Sequence, residues 1–379
     1  MARRPLRVIY ISPRPLGSAT GGGAVYDAAV RRLLGLARPS WKIVDIRPAA
    51  APPSPAVHRL RRWRSALAAL GGGAPALARF AIRPEMQDAL DRTIAEGAPD
   101  LLVLDGPDVA LLADQVPAGI PRLLVGHNIE HRLLRDRIAS MSWPGRVLVE
   151  ALLGEPARYT RFETAVWHAA AAAIHISASE AAELPATLPR IVIPPVFAGP
   201  PPPAPVLQAD RPLRIGFVGK LTWWPNREGI DWLLAHVWPS VPLPAELHLF
   251  GLGSEAMHAP SQRVFGHGFV ADATRMWSDI DLVVVPALSG GGVNVKLCEA
   301  LWAGRPCLAT TKAVRGLPRI DDPALLCADS AEDWAAVLSG RSVRHLAEQR
   351  PSQSIRTLFD ETAAARLLAA WLDGLGFDA

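Results

Sequence analysis

Apolar positions along the 379-residue chain fall into short, mostly unbroken runs separated by longer Ala- and Leu-rich stretches with helical spacing. In the first half, Leu6–Ile11, Trp41–Ile46, Leu101–Leu104, Arg122–Val125 and Ala172–Ile176 predict strands. In the second half, Arg214–Val218, Glu246–Phe250, Arg263–Phe265, Leu282–Val285 and Pro306–Ala309 do the same. Strands that are apolar throughout belong in parallel sheets covered on both faces. Strand–helix alternation run through twice predicts two doubly wound α/β domains, with a ligand in the cleft between them at the carboxyl ends of the strands. The proline-rich stretch 193–212 has neither helical nor alternating pattern and predicts a stiff connector. The expected layout is therefore a domain over 1–195, a linker over 196–212, a domain over 213–350 and a C-terminal segment over 351–379. In that last segment Ser354 to Leu375 predicts one helix, with Leu358, Phe359, Leu367, Leu368, Trp371 and Leu372 as its stripe to bury.

Composition narrows the class. Half of the residues are hydrophobic and 20% are charged, enough apolar material for two cores, which excludes a disordered chain. No apolar run approaches the roughly 18 residues that span a bilayer, and no apolar leader follows the N-terminus, so the expectation is a soluble, cytoplasmic protein. Cys298, Cys307 and Cys327 lack metal-ligand spacing and are expected to be buried free thiols. Charge is uneven: the chain carries +4, but residues 1–70 carry +11 and the remainder −7. Such a basic end suits an anionic partner, or else is a solvated arginine face. The segment HRLRRWRSALAAL (58–70), with Arg59, Arg61, Arg62, Arg64 and Trp63, predicts a basic helix at an anionic membrane surface or an ordinary peripheral helix.

Three motifs carry candidate chemistry. Gly21, Gly22 and Gly23 lie between the first strand and the helix AVYDAAVRRLLGLA, where backbone amides and a helix N-terminus can meet an anion; plain turn chemistry explains three glycines nearly as well. In VVVPALSGGGVNVKLCEALWAGRPCLAT (283–310) a buried strand leads through Gly290, Gly291 and Gly292 into a helix expected to start near Val293. Amides of 291–293 would point at a phosphate, Lys296 would add a charge, and Glu299 on the same helix face would accept from ribose hydroxyls. The alternative is a surface Lys–Glu pair on an ordinary helix. In GFVGKLTWWPN (216–226), Gly219 and Lys220 form a second glycine turn ending in lysine, notable in a chain with four lysines among 40 basic residues.

Three other features have simpler explanations. Gly251-Leu-Gly253-Ser-Glu-Ala256 fits a dinucleotide fingerprint but follows the second strand of its half rather than the first, so a tight turn is expected. Asp279-Ile-Asp281 leads directly into a buried strand, which suits capping acids better than metal ligands. The basic segment 58–70 is the third.

The segments GFVGKL, LHLFGLG, VFGHGFV, DLVVVP, GGGVNVKLCEALWAGRPCLAT and AVRGL, in that order over about 213–340, resemble the nucleotide-sugar-binding domain of the family 4 (group 1) retaining glycosyltransferases. Looser similarity lies in Gly21–Gly23, LLVGHNIEHRLLR (123–135) and RFETAVWHAAAAAIHISASEAAEL (161–184), and TWWPN is similar to members from bacterial exopolysaccharide clusters. The resemblance implies the GT-B fold: two Rossmann-like domains across a cleft, with the C-terminal helix crossing back to the first. It implies sugar transfer with retention from a nucleotide-sugar to a glycan or lipid-linked acceptor, with no cofactor, no metal and no nucleic-acid partner. Glu299 matches the second acid of the family's Glu-x7-Glu element, which binds the donor ribose, whereas the first acid falls on Gly291. Lys220 stands where a diphosphate-binding arginine is common, and His127 matches a histidine facing the transferred sugar. Implied donor-site residues are thus Gly219, Gly290, Gly291, Gly292, Val293, Asn294 and Glu299, with Lys220, Lys296 and His127 catalytic. A catalytically inactive GT-B scaffold would explain the acid missing at Gly291. An NAD-dependent oxidoreductase would need the 251–256 turn as its cofactor site.

Overall fold

The structure is a computed structural model that describes residues 4–15, 22–49, 54–71, 73–139, 141, 143–147, 149–150, 154–203, 207, 211–242 and 244–377. The chain divides into two compact units, residues 1–193 with 365–379, and residues 194–364.

The first unit holds β1 (Arg7–Ile11), α1 (Gly22–Ala37), β2 (Lys42–Ile46), α2 (Pro55–Leu70), α3 (Ala76–Ala81), β3 (Leu101–Asp105), β4 (Arg122–Gly126), β5 (Ala172–His175) and β6 (Arg190–Val192). All strand pairs are parallel, in the order β2-β1-β3-β4-β5-β6. Strand β3 is buried at every position, as a central strand flanked by helices must be. Its Leu102 and Leu104 share one core with Ile9, Ile11, Leu124 and Ala173 of the other strands and with Met86, Leu90 and Trp167 from the helices.

The second unit repeats the plan with β7 (Leu213–Val218), β8 (Ala245–Phe250), β9 (Val264–Gly266), β10 (Leu282–Val285), β11 (Cys307–Ala309) and β12 (Leu325–Cys327), in the order β12-β11-β10-β7-β8-β9 and again parallel. The two doubly wound sheets expected from the apolar runs are therefore present. The runs did not announce β6 and β12. Both are three-residue edge strands, Arg-Ile-Val and Leu-Leu-Cys, whose apolar runs are too short to stand out as strands, and β12 leaves Leu326 and Cys327 exposed. Cys298 and Cys307 are buried, but Cys327 is not, which corrects the expectation of three buried thiols.

The proline-rich stretch, expected to be stiff, is tied down over its described part. Phe197 bridges to Asp360, stacks at 5.4 Å on Trp302, and receives a hydrogen bond from the Glu361 amide. Pro203 accepts from Arg305 Nη2 at 2.6 Å. Residues 204–206 and 208–210 lie outside the described residues.

The single helix expected from Ser354 to Leu375 is two, Gln353–Leu358 and Glu361–Gly374. The break falls where the Phe359 carbonyl turns to accept from the Phe197 amide at 2.9 Å. Phe359, Leu368 and Leu372 are buried, while Leu367, expected in the same stripe, is 55% exposed. Arg38 of α1 donates to the Ala369 and Phe377 carbonyls and to Asp373, so the last helical turns belong to the first unit.

Candidate active site

In each sheet the strand order reverses once, and loops leaving the carboxyl ends of the strands on either side of that reversal diverge and leave space for a ligand. In the first sheet the reversal lies between β1 and β3, and in the second between β7 and β10. Each reversal carries a polar cluster.

In the first unit Asp105, the last residue of β3, is completely buried. It accepts from Ser12 Oγ at 2.7 Å, Arg14 Nη1 at 2.6 Å and His127 Nε2 at 2.5 Å. Burial pushes the Asp105 carboxyl up, but the charges of His127 and Arg14 and the hydrogen bonds from His127 and Ser12 outweigh it and hold it well below the usual carboxylate range. A carboxylate only accepts, so the bond is donated by His127 Nε2–H, and Nδ1 is buried without a partner among the described residues. The His127 ring packs edge-on against Tyr26 at 5.1 Å, and Tyr26 is itself anchored through its hydroxyl to the Ile193 carbonyl. Gly22 and Gly23 open α1, and a Cβ on Gly23 would lie 3.2 Å from Arg14 Nη2, so the guanidinium covers that helix N-terminus. Gly21 lies outside the described residues. Arg14, Asp105 and Ser12 were not singled out from the sequence. Three other groups close in behind. His175, opposite Gly126 in the β4–β5 register, is drawn down to about 4 by burial and by the nearby His127. Glu163 accepts from the amides of Glu130 and His131 at 2.8 Å. Glu130 is pushed up to about 8 by burial and by the neighbouring Asp108.

In the second unit the helix begins at Val295, two residues later than expected, with Asn294 as its cap. Gly290 and Gly292 have φ of +91° and +75°, a conformation that disfavours any side chain. Their carbonyls both accept from Arg315 Nη2, at 2.9 and 3.2 Å, so the loop is pinned by its oxygens. The amides of Gly291, Gly292 and Val293 donate to no acceptor among the described residues. Lys296 is half-buried, sits 5.1 Å over the Phe217 ring and donates to Asn226 Oδ1 at 2.7 Å. Desolvation brings its pKa down to about 8. Gly219 makes room for this contact, since a Cβ there would lie 3.0 Å from both Lys296 Cε and Asn226 Nδ2. Asn226 in turn donates to the Lys220 carbonyl at 2.9 Å, while the Lys220 side chain is exposed. Glu299 accepts from Trp277 Nε1 at 3.1 Å and is raised by burial. No ion pair joins Lys296 to Glu299, which removes the surface-pair alternative. Asn226 and Arg315 lie within the quoted segments GFVGKLTWWPN and AVRGL but were given no role there, and Trp277 was not singled out at all.

The remaining motifs have structural explanations. A Cβ on Gly251 would lie 2.4 Å from the Gly219 carbonyl oxygen, so glycine there answers to close packing of the β7 and β8 exits. Asp281 is buried and accepts from Arg211 and from the Arg214 amide, and Asp279 pairs with Arg214 at 3.5 Å.

Residues 212–340 match the family described as group 1 glycosyl transferases. That segment runs from the start of β7 past the helix Ala331–Val337 and takes in all six strands of the second sheet. Among solved structures, sucrose-phosphate synthase from Thermosynechococcus elongatus is similar with a TM-score of 0.62 at 18% identity, over 99% of this chain and 100% of that one. HepE from Anabaena, in complex with UDP, is similar with a TM-score of 0.60 at 16% identity, over 98% and 100%. The lipopolysaccharide outer core galactosyltransferase WaaB gives 0.59 at 12% identity, over 97% and 99%. The fold is GT-B. No protein of curated function matches the chain in sequence. Family match and fold together support glycosyl transfer as the chemistry.

Proposed function

We propose that the chain transfers a sugar from a nucleotide-sugar to a glycan or lipid-linked acceptor, with retention of configuration, in the synthesis of a cell-surface polysaccharide. The observation that carries this reading is the loop 290–294. The Gly290 and Gly292 carbonyls are held by Arg315, the amides at 291–293 have no acceptor among the described residues, and Lys296 stands one turn behind them. Amides at a helix N-terminus with one adjacent cation suit a diphosphate. Glu299 is assigned to the donor ribose, Gly219 and Asn294 to the walls of the donor site, and Lys220 and Lys296 to the leaving group. His127 is assigned to the transferred sugar and Gly21–Gly23 to an acceptor or phosphate loop. HepE, whose structures are described in complex with UDP and with UDP-glucose, makes uridine nucleotides the first probes to try.

The chemistry asks little covalent work of the protein. The acceptor hydroxyl attacks on the face that the diphosphate leaves, so no protein nucleophile is needed, and catalysis is positioning and charge stabilisation. Negative charge grows on the departing oxygens, and Lys296, Lys220 and the loop amides meet it. The reading assigns no cofactor and no metal, these groups supplying the positive charge themselves. Lys296 is poised near neutrality by desolvation, and a bound diphosphate would hold it protonated.

The test is thermal stabilisation by UDP, GDP and dTDP, followed by hydrolysis of a nucleotide-sugar panel. Stabilisation by one nucleotide and turnover of its sugar conjugate support the reading. Stabilisation by NAD instead would favour an oxidoreductase, and no stabilisation at all an inactive scaffold.

A further inference from the structure

The excess positive charge of the first 70 residues resolves unevenly. Arg4 pairs with Asp100, Arg7 with Glu96, Arg14 with Asp105, Arg31 with Asp45, Arg38 with Asp373 and Arg47 with Asp27. The surplus is concentrated on α2, which has no acidic residue, and where Arg59, Arg62 and Arg64 are exposed and make no ion pair among the described residues.

The same helix is built inside out. A helix at the edge of a soluble domain turns its apolar stripe to the core. On α2 the inward face is small and polar: Ala69 is buried, Ser65 half-buried, and Arg61 folds back to donate to the Phe80 and Ile82 carbonyls behind α3 at 2.7 and 3.2 Å. Leu60, Trp63 and Leu67, spaced three and four residues apart, form the opposite face and are 59%, 61% and 62% exposed. At 100° per residue Arg59 and Arg64 fall on either side of that stripe. Arg61, expected with the other three on a membrane-facing patch, is a structural residue instead. Beyond the C-terminal end of α2 an open cavity of about 430 Å³ is lined by Arg158, Arg161 and the Arg122–Asp114 pair over Phe162 and Val166. Arg158 ties it to α2 through the Ala69 carbonyl.

We infer that α2 is an interfacial helix that seats Leu60, Trp63 and Leu67 in an anionic lipid bilayer, with Arg59 and Arg64 on the phosphate head groups. An apolar stripe flanked by arginines, with tryptophan at the boundary, is the surface such a layer accommodates on both counts. An acidic protein or a nucleic acid would engage the arginines and leave the three apolar side chains in water. A second copy of the chain would bury the stripe but set arginine against arginine. The inference goes beyond the proposed chemistry and does not depend on it.

The experiment is co-sedimentation of the full chain with vesicles of phosphatidylglycerol and phosphatidylcholine, compared with phosphatidylcholine alone, at low and high salt. Wild type should pellet with the anionic vesicles only, and high salt should weaken binding without abolishing it. Arg59→Gln with Arg64→Gln should weaken binding by about fivefold for each arginine. Leu60→Ser with Leu67→Ser, which leaves every charge in place, should weaken it on the order of 100-fold. Brominated acyl chains should quench wild type and quench Trp63→Phe less. All of these side chains are exposed, so thermal denaturation should be unchanged, and UDP stabilisation, measured on the same proteins, reports separately on the donor site. The inference is overturned if wild type ignores anionic vesicles at low salt, or if the double serine variant binds as wild type does. It is also overturned if that variant instead abolishes a concentration-dependent dimer, which would give the stripe to a second copy.

Discussion

The two polar clusters occupy equivalent places, each at the reversal of its sheet, yet they are built in opposite ways. The Asp105 cluster is a closed network: a buried carboxylate takes three donors, and the one buried polar atom of the cluster without a partner among the described residues is His127 Nδ1. The 290–294 loop is open: the Gly290 and Gly292 oxygens are tied to Arg315, the amides of 291–293 have no acceptor among the described residues, and Lys296 behind them is only half-buried. A closed network fixes the orientation of one ring and has little left to offer a ligand. An open one presents several donors at once and gains its partner only when an anion arrives. Under the proposed function the first positions and the second stabilises charge, so disturbing the two should produce different losses.

The largest expected effect is on the open side. Lys296→Ala should lower turnover 10²- to 10³-fold while altering nucleoside affinity far less, because its charge matters most as the diphosphate leaves. Steady-state kinetics beside nucleoside binding checks this, and equal losses in both would make Lys296 a ground-state binder. On the closed side Asp105→Asn should cost about 3 kcal/mol of stability, since it strands Arg14 and His127 around a neutral group. Denaturant titration measures it. The pH sign follows from the depressed Asp105 pKa: its contribution is present above the unfolded value near ~4 and is lost as pH falls below it, so the variant should lack that part of the acid slope. A variant as stable as wild type would mean that the network is not closed.

Glu299→Ala should weaken nucleotide binding about tenfold, through loss of a ribose acceptor, with a smaller change in the rate of the bound complex. Calorimetry with UDP and with 2′,3′-dideoxy-UDP isolates the contribution of the ribose hydroxyls. The smallest effect is a pH limb. Lys296 titrates at about 8 in the free protein, so donor kcat/KM should fall as pH rises through that value. Lys296→Arg, charged throughout, should flatten this limb. If the limb persists in the arginine variant, the titrating group lies elsewhere.

How much was legible differs between the clusters for a physical reason. The second takes its glycines, lysine and acid from one run, 290–299, where they stand at loop-then-helix spacing. The first draws Ser12 and Arg14, Asp105 and His127 from three separate strand exits, which no local pattern connects. Of its members only His127 was found, and through resemblance rather than spacing. Arg315 escaped for the same cause, since it reaches the glycine loop from 23 to 25 residues away. The apolar runs announced every strand longer than three residues because buried parallel strands must be apolar throughout.

By itself the sequence determined the two doubly wound sheets and the glycine loop with its lysine, because strand burial and helix-face spacing are local in the chain. Only the tertiary structure decided what those residues meet. It turned Lys296 to Asn226 rather than Glu299, gave Asp105 its three donors, and folded Arg61 into α3. It also set the apolar face of α2 toward solvent. A helical stripe in a sequence specifies only that one face is apolar. Which way the face points depends on what else packs against the helix, and on α2 that is Ala69 and a folded-back arginine.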